Sequence, residues 1–156
     1  MALKTNHALS ERSAKKVQEL IRSNIDSFDG LQDAAEVISD PRVAELFRAI
    51  ADERSTFAGE LQEWVEWNGE EAAKEGSLTA GVHRAWINVR SLLNGGDPHS
   101  ILAEAERGEV HIKGGYEDVL KETPGSGVHE LLLAQYSAIK AAHDRIRDLR
   151  DDCPKQ

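Results

Sequence analysis

Residues 39–68 read SDPRVAELFRAIADERSTFAGELQEWVEWN. Val43, Leu46, Phe47, Ile50, Phe57, Leu61, Trp64 and Val65 recur there at steps of three and four. That spacing collects side chains into one stripe of an α-helix. Asp40-Pro41 is a start signal: the carboxylate can accept from an orphan N–H of the first turn, and proline already holds helical φ. The spacing predicts a helix over 41–68.

The same pattern continues on both sides. Upstream, 10–39 carries Val17, Leu20, Ile21, Ile25, Phe28, Leu31, Ala35 and Ile38. Downstream, 98–122 opens on Asp97-Pro98 and carries Ile101, Leu102, Ala105, Ile112, Tyr116, Val119 and Leu120. The segment 125–151 carries Leu132, Tyr136, Ile139, His143, Ile146 and Leu149. A shorter helix is predicted over 78–94, with Leu78, Val82, Trp86, Val89 and Leu93 on one face, Ser77 as its cap and Asn94-Gly95-Gly96 as its end. Pro41, Pro98, Pro124 and Pro154 all fall at predicted helix ends. No alternating strand pattern is present.

Connection lengths set the topology. Ser39-Asp40-Pro41 is a tight turn, so the first two long helices are antiparallel neighbours. The short connection from Glu122 through Pro124 to Ser126 makes the last two antiparallel as well. The stretch 68–97 is long enough to travel back along the bundle, so the second and third long helices run parallel. The expectation is all-α: a ferritin-like four-helix bundle of two antiparallel hairpins, with a long crossover holding a short fifth helix.

The chain has 156 residues with 19 Lys plus Arg against 28 Asp plus Glu, a net charge of −9. That length fits a single domain over 1–156, with the polar residues 1–12 frayed. The negative balance argues against nucleic acid. No apolar run is long enough for a membrane span, and the N-terminus lacks the apolar core of a secretory signal. The lone Cys153 has no intrachain partner, which points to the cytoplasm. Walker, GxGxxG, CxxC and HExxH patterns are absent, so neither a catalytic residue nor a small-molecule substrate is indicated.

Function in a bundle resides in polar residues that point inward. At 100° per residue, Glu109 falls in mid-stripe with Ala105, Ile112 and Tyr116, and Glu106 falls at the stripe's edge. Arg54 lies on the stripe with Ile50 and Leu61, flanked by Glu53 and Glu60. His143 lies among Tyr136, Ile139 and Ile146; Asn24 points inward, with Gln32 and Glu36 flanking. Heights along the helices bring Arg54, Glu106, Glu109 and His143 to one level. The sequence predicts a buried polar layer of these four, with Glu53 and Glu36 nearby.

Two readings of that layer follow. In one, Arg54 and Glu109 form a buried pair that Glu106 and His143 complete, because isolated buried charges are too costly to keep. In the other, Glu106, Glu109 and His143 hold a divalent iron, manganese or zinc ion, with Glu36, Glu53 or Glu60 as further ligands. A complete di-metal centre takes Glu-x-x-His on two helices. Thr56 follows Glu53 and Lys140 precedes His143 at that spacing, so the motif is incomplete. Outside the interior, Trp86 reads as a core anchor of the crossover helix. His83, Arg84 and the off-stripe Trp67 are candidate partner surfaces. Gly108, Gly114 and Gly115 weaken the third long helix and suit close approach by a neighbour.

Several pieces carry a family resemblance: Gly81-Val82-His83-Arg84-Ala85-Trp86, Ala103-Glu104-Ala105-Glu106-Arg107-Gly108-Glu109, Ala34-Ala35-Glu36, Phe57 with Glu60-Leu61, Tyr116, and Ala142-His143-Asp144-Arg145. Together they resemble an uncharacterised bacterial ferritin-like family, the domain of unknown function 2383, over about 14–152. The resemblance implies a ferritin-like fold, self-association as a homodimer and a stress-associated setting. It implies no established activity.

Overall fold

The computed structural model describes residues 11–76, 81–93 and 97–153, the side chains of 81 and 82 excepted. Five α-helices appear among them: α1 (Glu11–Val37), α2 (Pro41–Trp67), α3 (Gly81–Leu92), α4 (Pro98–Leu120) and α5 (His129–Asp152). No strand occurs among the described residues. Ser77, Leu78, Asn94 to Gly96, Pro154 and residues 1–10 lie outside them, as does the Val82 side chain.

Both proline starts form as read. Asp40 accepts from the Arg42 N–H at 2.9 Å, and Asp97 accepts from the Ser100 N–H at 2.9 Å. Pro41 and Pro98 take the first turn, where no N–H is missed. At the end of α1, the Arg48 guanidinium donates to the Ala35 carbonyl at 3.2 Å, filling one orphan acceptor.

Two boundaries differ from the sequence reading. Glu11 and Arg12, expected to fray, begin α1; Arg12 pairs with Glu122 at 3.2 Å, and Lys16 joins the same carboxylate. The last helix starts at His129 instead of 125. Gly125 takes φ +83, the left-handed backbone that turns the chain and that residues with a Cβ rarely adopt.

The contacts fix the topology. α1 packs on α2 and α4, and α5 packs on α4 and α2, so α2 and α4 stand at opposite corners. Arg54 meets Glu109, and further on both Phe57 and Tyr116 reach Gln135. α2 and α4 therefore run parallel. Lys16 and Asn24 of α1 meet Glu122 and Tyr116, so α1 runs against α4. After α2 the chain is held on both sides. Gln18 donates to the Glu71 carbonyl and accepts from the Ala73 N–H, each at 2.8 Å; Gln62 donates to the Ala73 carbonyl at 2.8 Å. α3 then climbs along α1, pairing His83 with Asp26 at 3.5 Å and Arg90 with Asp33 at 3.2 Å.

The core gathers apolar residues from all five helices, and Trp86 ties α3 into it. Its ring meets Phe47 edge-on, with centroids 5.8 Å apart and planes at 87°. Close backbone approach occurs at Gly30, where Trp86 lies directly over the glycine, and less tightly at Gly108 and Gly115. A Cβ built at Gly114 meets no atom within 4 Å, so that glycine serves no close approach here.

Candidate functional site

The bundle interior holds two polar assemblies on neighbouring levels. In the first, Arg54 of α2 reaches across the diagonal to Glu109 of α4. Nη1 donates to Oε2 at 2.7 Å and Nη2 to Oε1 at 2.5 Å. Both side chains are 0% exposed. Burial alone would press the guanidinium toward its neutral form. The charge of the Glu109 carboxylate and its hydrogen bonds outweigh burial and hold Arg54 above its ordinary value. Glu53 sits alongside, its Oε1 3.9 Å from Arg54 Nε. Loss of solvent raises the Glu53 carboxyl above its usual range, against the pull of Arg54 and Arg145.

In the second assembly each long helix contributes one side chain. Asn24 of α1 donates to the Tyr116 hydroxyl at 2.9 Å, and that hydroxyl donates to Gln135 Oε1 of α5 at 2.6 Å. Gln135 Nε2 donates to Glu60 of α2 at 3.0 Å and more weakly to the Phe57 carbonyl at 3.4 Å. Burial drives the Tyr116 phenol well above its ordinary range, so it stays a neutral donor. Replacing Tyr116 by phenylalanine removes one hydroxyl and strands the Gln135 oxygen. The expected loss is about 1–2 kcal/mol of unfolding free energy by chemical denaturation.

The four residues read as one layer do not meet as one. Arg54 and Glu109 pair at the centre, whereas Glu106 and His143 form a separate cluster at the α4–α5 edge. His143 Nε2 lies 3.1 Å from Glu106 Oε2, and the Arg150 guanidinium takes the other oxygen. Both Glu106 and His143 keep part of their surface in water, because Glu106 sits at the stripe's edge and not in it. Glu36 is exposed on the last turns of α1 and touches neither cluster. Glu60, expected to flank, is exposed yet lends its carboxylate to Gln135.

The proposed metal ligands Glu106, Glu109 and His143 are likewise divided. Arg54 occupies both oxygens of Glu109, and His143 and Arg150 occupy those of Glu106. Among the described residues no three His, Cys, Asp or Glu side chains are grouped so that they could hold a metal ion. The surface candidates also separate. Trp67 is 56% exposed at the end of α2, and Arg84 is exposed on α3. His83 leans on the buried Asp26.

Gln135 and Arg150 escaped the sequence reading. Gln135 lies on the α5 stripe between Leu132 and Ile139, where the same angular placement would have found it. Arg150 stands two turns after His143, on the same face.

A family model described as a domain of unknown function, DUF2383, matches residues 12–122, more than half of the chain. The chain belongs to the DUF2383 family. The matched DUF2383 stretch contains Asn24, Arg54, Glu60, Glu109 and Tyr116; Gln135, His143 and Arg150 lie beyond it on α5. No curated protein matches the chain.

Proposed function

We propose that this DUF2383 chain works by associating with protein chains, its own among them, and not by turning over a substrate. Its interior polar groups then serve to hold four helices in register. The observation that carries this reading is the Arg54–Glu109 pair: fully sealed from water and bidentate, with both terminal guanidinium nitrogens donating to the carboxylate. A carboxylate in that state has both oxygens committed to Arg54 and no opening to solvent, while the pair penalises any slip of α2 against α4. The resemblance to ferritin-like bacterial families supplies a stress-associated setting for such a protein.

Metal addition tests the reading. A ligand that binds only the native state raises its stability. The melting temperature of metal-free protein is expected to stay within about 1 °C when ferrous iron, manganese or zinc is added at a hundred times the protein concentration. Saturating binding at about 100 Kd would add about 2.7 kcal/mol, a rise of several degrees in a domain of this size. Such a rise would overturn the structural role of the interior.

A further inference from the structure

The seam between α2 and α5 is the loosest side of the bundle. α5 lies close along α4 but touches α2 lightly, so side chains do not fill the space between those two helices. The seam holds a furrow of about 690 Å³, lined by Glu60, Glu63, Trp64, Glu66, Trp67 and Leu131. Two kinds of surface meet there. Trp64 is sunk to 8% exposure, whereas Trp67 keeps 56% of its surface open and Leu131 is half-buried. Large apolar surface left in water beside a groove marks a place of contact. Around it, Glu63 and Glu66 are exposed and enter no ion pair among the described residues. Glu60 is steadied by the buried Gln135, whose amide donates to its carboxylate at 3.0 Å. No residue lining the furrow is a cation.

Resting on the association reading above, we infer that this furrow seats a basic amphipathic helix of a partner protein, its apolar side against Trp67 and Leu131 and its Lys or Arg side chains against Glu60, Glu63 and Glu66. The three acids stand three residues apart along α2. A partner helix repeats its own side chains at steps of three and four, so it can meet that row without bending. Carboxylates with no cation among them select positive charge, and the open indole supplies both an anchor and a ring face for a cation. Gln135 holds Glu60 in place beforehand, which lowers the cost of ordering that contact. The net charge of −9 draws a basic partner from a distance. A second copy of the chain suits the furrow less well. Its exposed Arg22, Arg42, Arg90, Arg107 and Arg147 each already lean on an acid of their own molecule.

Titration of the full chain with a synthetic leucine–arginine peptide of about 18 residues, its leucines at helical spacing, tests this. Calorimetry in about 150 mM sodium chloride suppresses loose attraction between distant charges. The expected result is one peptide per chain, a gain of peptide helix by circular dichroism, and tryptophan emission moved to shorter wavelength as Trp67 leaves water. Trp67→Ser, and Glu63→Lys with Glu66→Lys, are each expected to weaken binding about tenfold or more. Glu36→Lys with Glu45→Lys changes the net charge equally on exposed sites at the far end of α2, and is expected to weaken binding less than about threefold. Thermal melts check that these surface variants remain folded. Equal losses in the two charge-reversed pairs, or several peptides on each chain, would reduce the binding to general attraction and overturn the furrow. A peptide of the same composition without helical spacing that binds as tightly overturns the helix as its occupant. Spermine that moves the emission equally, and fails to do so in the Glu63→Lys, Glu66→Lys protein, assigns the furrow to a small polycation and overturns a protein partner there. Sedimentation velocity of the chain alone separates this claim from the broader one: oligomers without peptide binding overturn the furrow and leave association standing, whereas a single chain that binds no peptide counts against both.

Discussion

Glu109→Ala is expected to lower the unfolding free energy by about 3–5 kcal/mol, the cost of leaving a buried charge without its partner. The Arg54 guanidinium is 0% exposed, and both of its terminal nitrogens donate to Glu109. Without the carboxylate, the anion that remains near Arg54 among the described residues is Glu53, 3.9 Å from Nε and partly in water. It cannot replace two short bonds from the opposite corner of the bundle. Domains of this kind are stable by about 5–15 kcal/mol in all, so the variant is close to unfolding. With a urea slope of about 2 kcal/mol/M, its midpoint should drop by about 2 M. The partly exposed Glu106→Ala is a built-in contrast. Its partners His143 and Arg150 can turn to water, and the expected loss is about 1 kcal/mol or less. Equal losses at the two positions would mean that the sealed pair is no more costly to break than the edge cluster.

Gly30→Ala is the second large effect, and its sign runs against helix propensity. In an open helix the change would gain about 1 kcal/mol. Here a Cβ on residue 30 would stand 2.8 Å from the Trp86 Cβ, with indole ring carbons closer still. Trp86 has little room to retreat, since its ring is set edge-on against Phe47 and its Nε1 faces Gly108. Forcing an extra carbon into a packed contact costs about 1–3 kcal/mol or more. The net expectation is destabilisation by about 1–2 kcal/mol, concentrated in α3. Amide hydrogen exchange locates it: protection in residues 81–92 should fall well before that of α2 or α5. A more stable protein with unchanged exchange would show that α3 can ride outward without cost.

Much of this architecture is visible in the sequence because the determinants are local. Asp40-Pro41 and Asp97-Pro98 write two helix starts into adjacent residues, and a stripe of apolar side chains needs only its own spacing. Arg54 and Glu109 are legible for the same reason: each sits in mid-stripe, so a helix must turn it inward. What the sequence hides depends on depth and on distant partners. Glu106 lies one turn before Glu109 on α4, yet its position at the stripe's edge delivers it to Arg150 at the surface and not to Arg54 in the core. Rise along the helix cannot separate those two outcomes. Gly30 is absent from the sequence reading, and its role comes into view only when α3 brings Trp86 over it. Glycines 108, 114 and 115 look like the contact points instead, and only the packing shows that Gly114 meets nothing. The start of α5 moved to His129 because Gly125 turns the chain first, a conformation that Pro124 alone does not announce.

The most direct measurement is a double-mutant cycle between Arg54 and Glu109, using Arg54→Met, Glu109→Leu and the two together, each followed by denaturant unfolding. Apolar residues of similar volume can replace a buried ion pair at little cost, while removal of either charge alone is severe. Each single variant should therefore lose about 3 kcal/mol or more, and the double variant only about 1 kcal/mol, giving a coupling of about 5 kcal/mol. Losses that simply add, with a coupling below about 0.5 kcal/mol, would contradict a sealed pair that holds α2 and α4 in register.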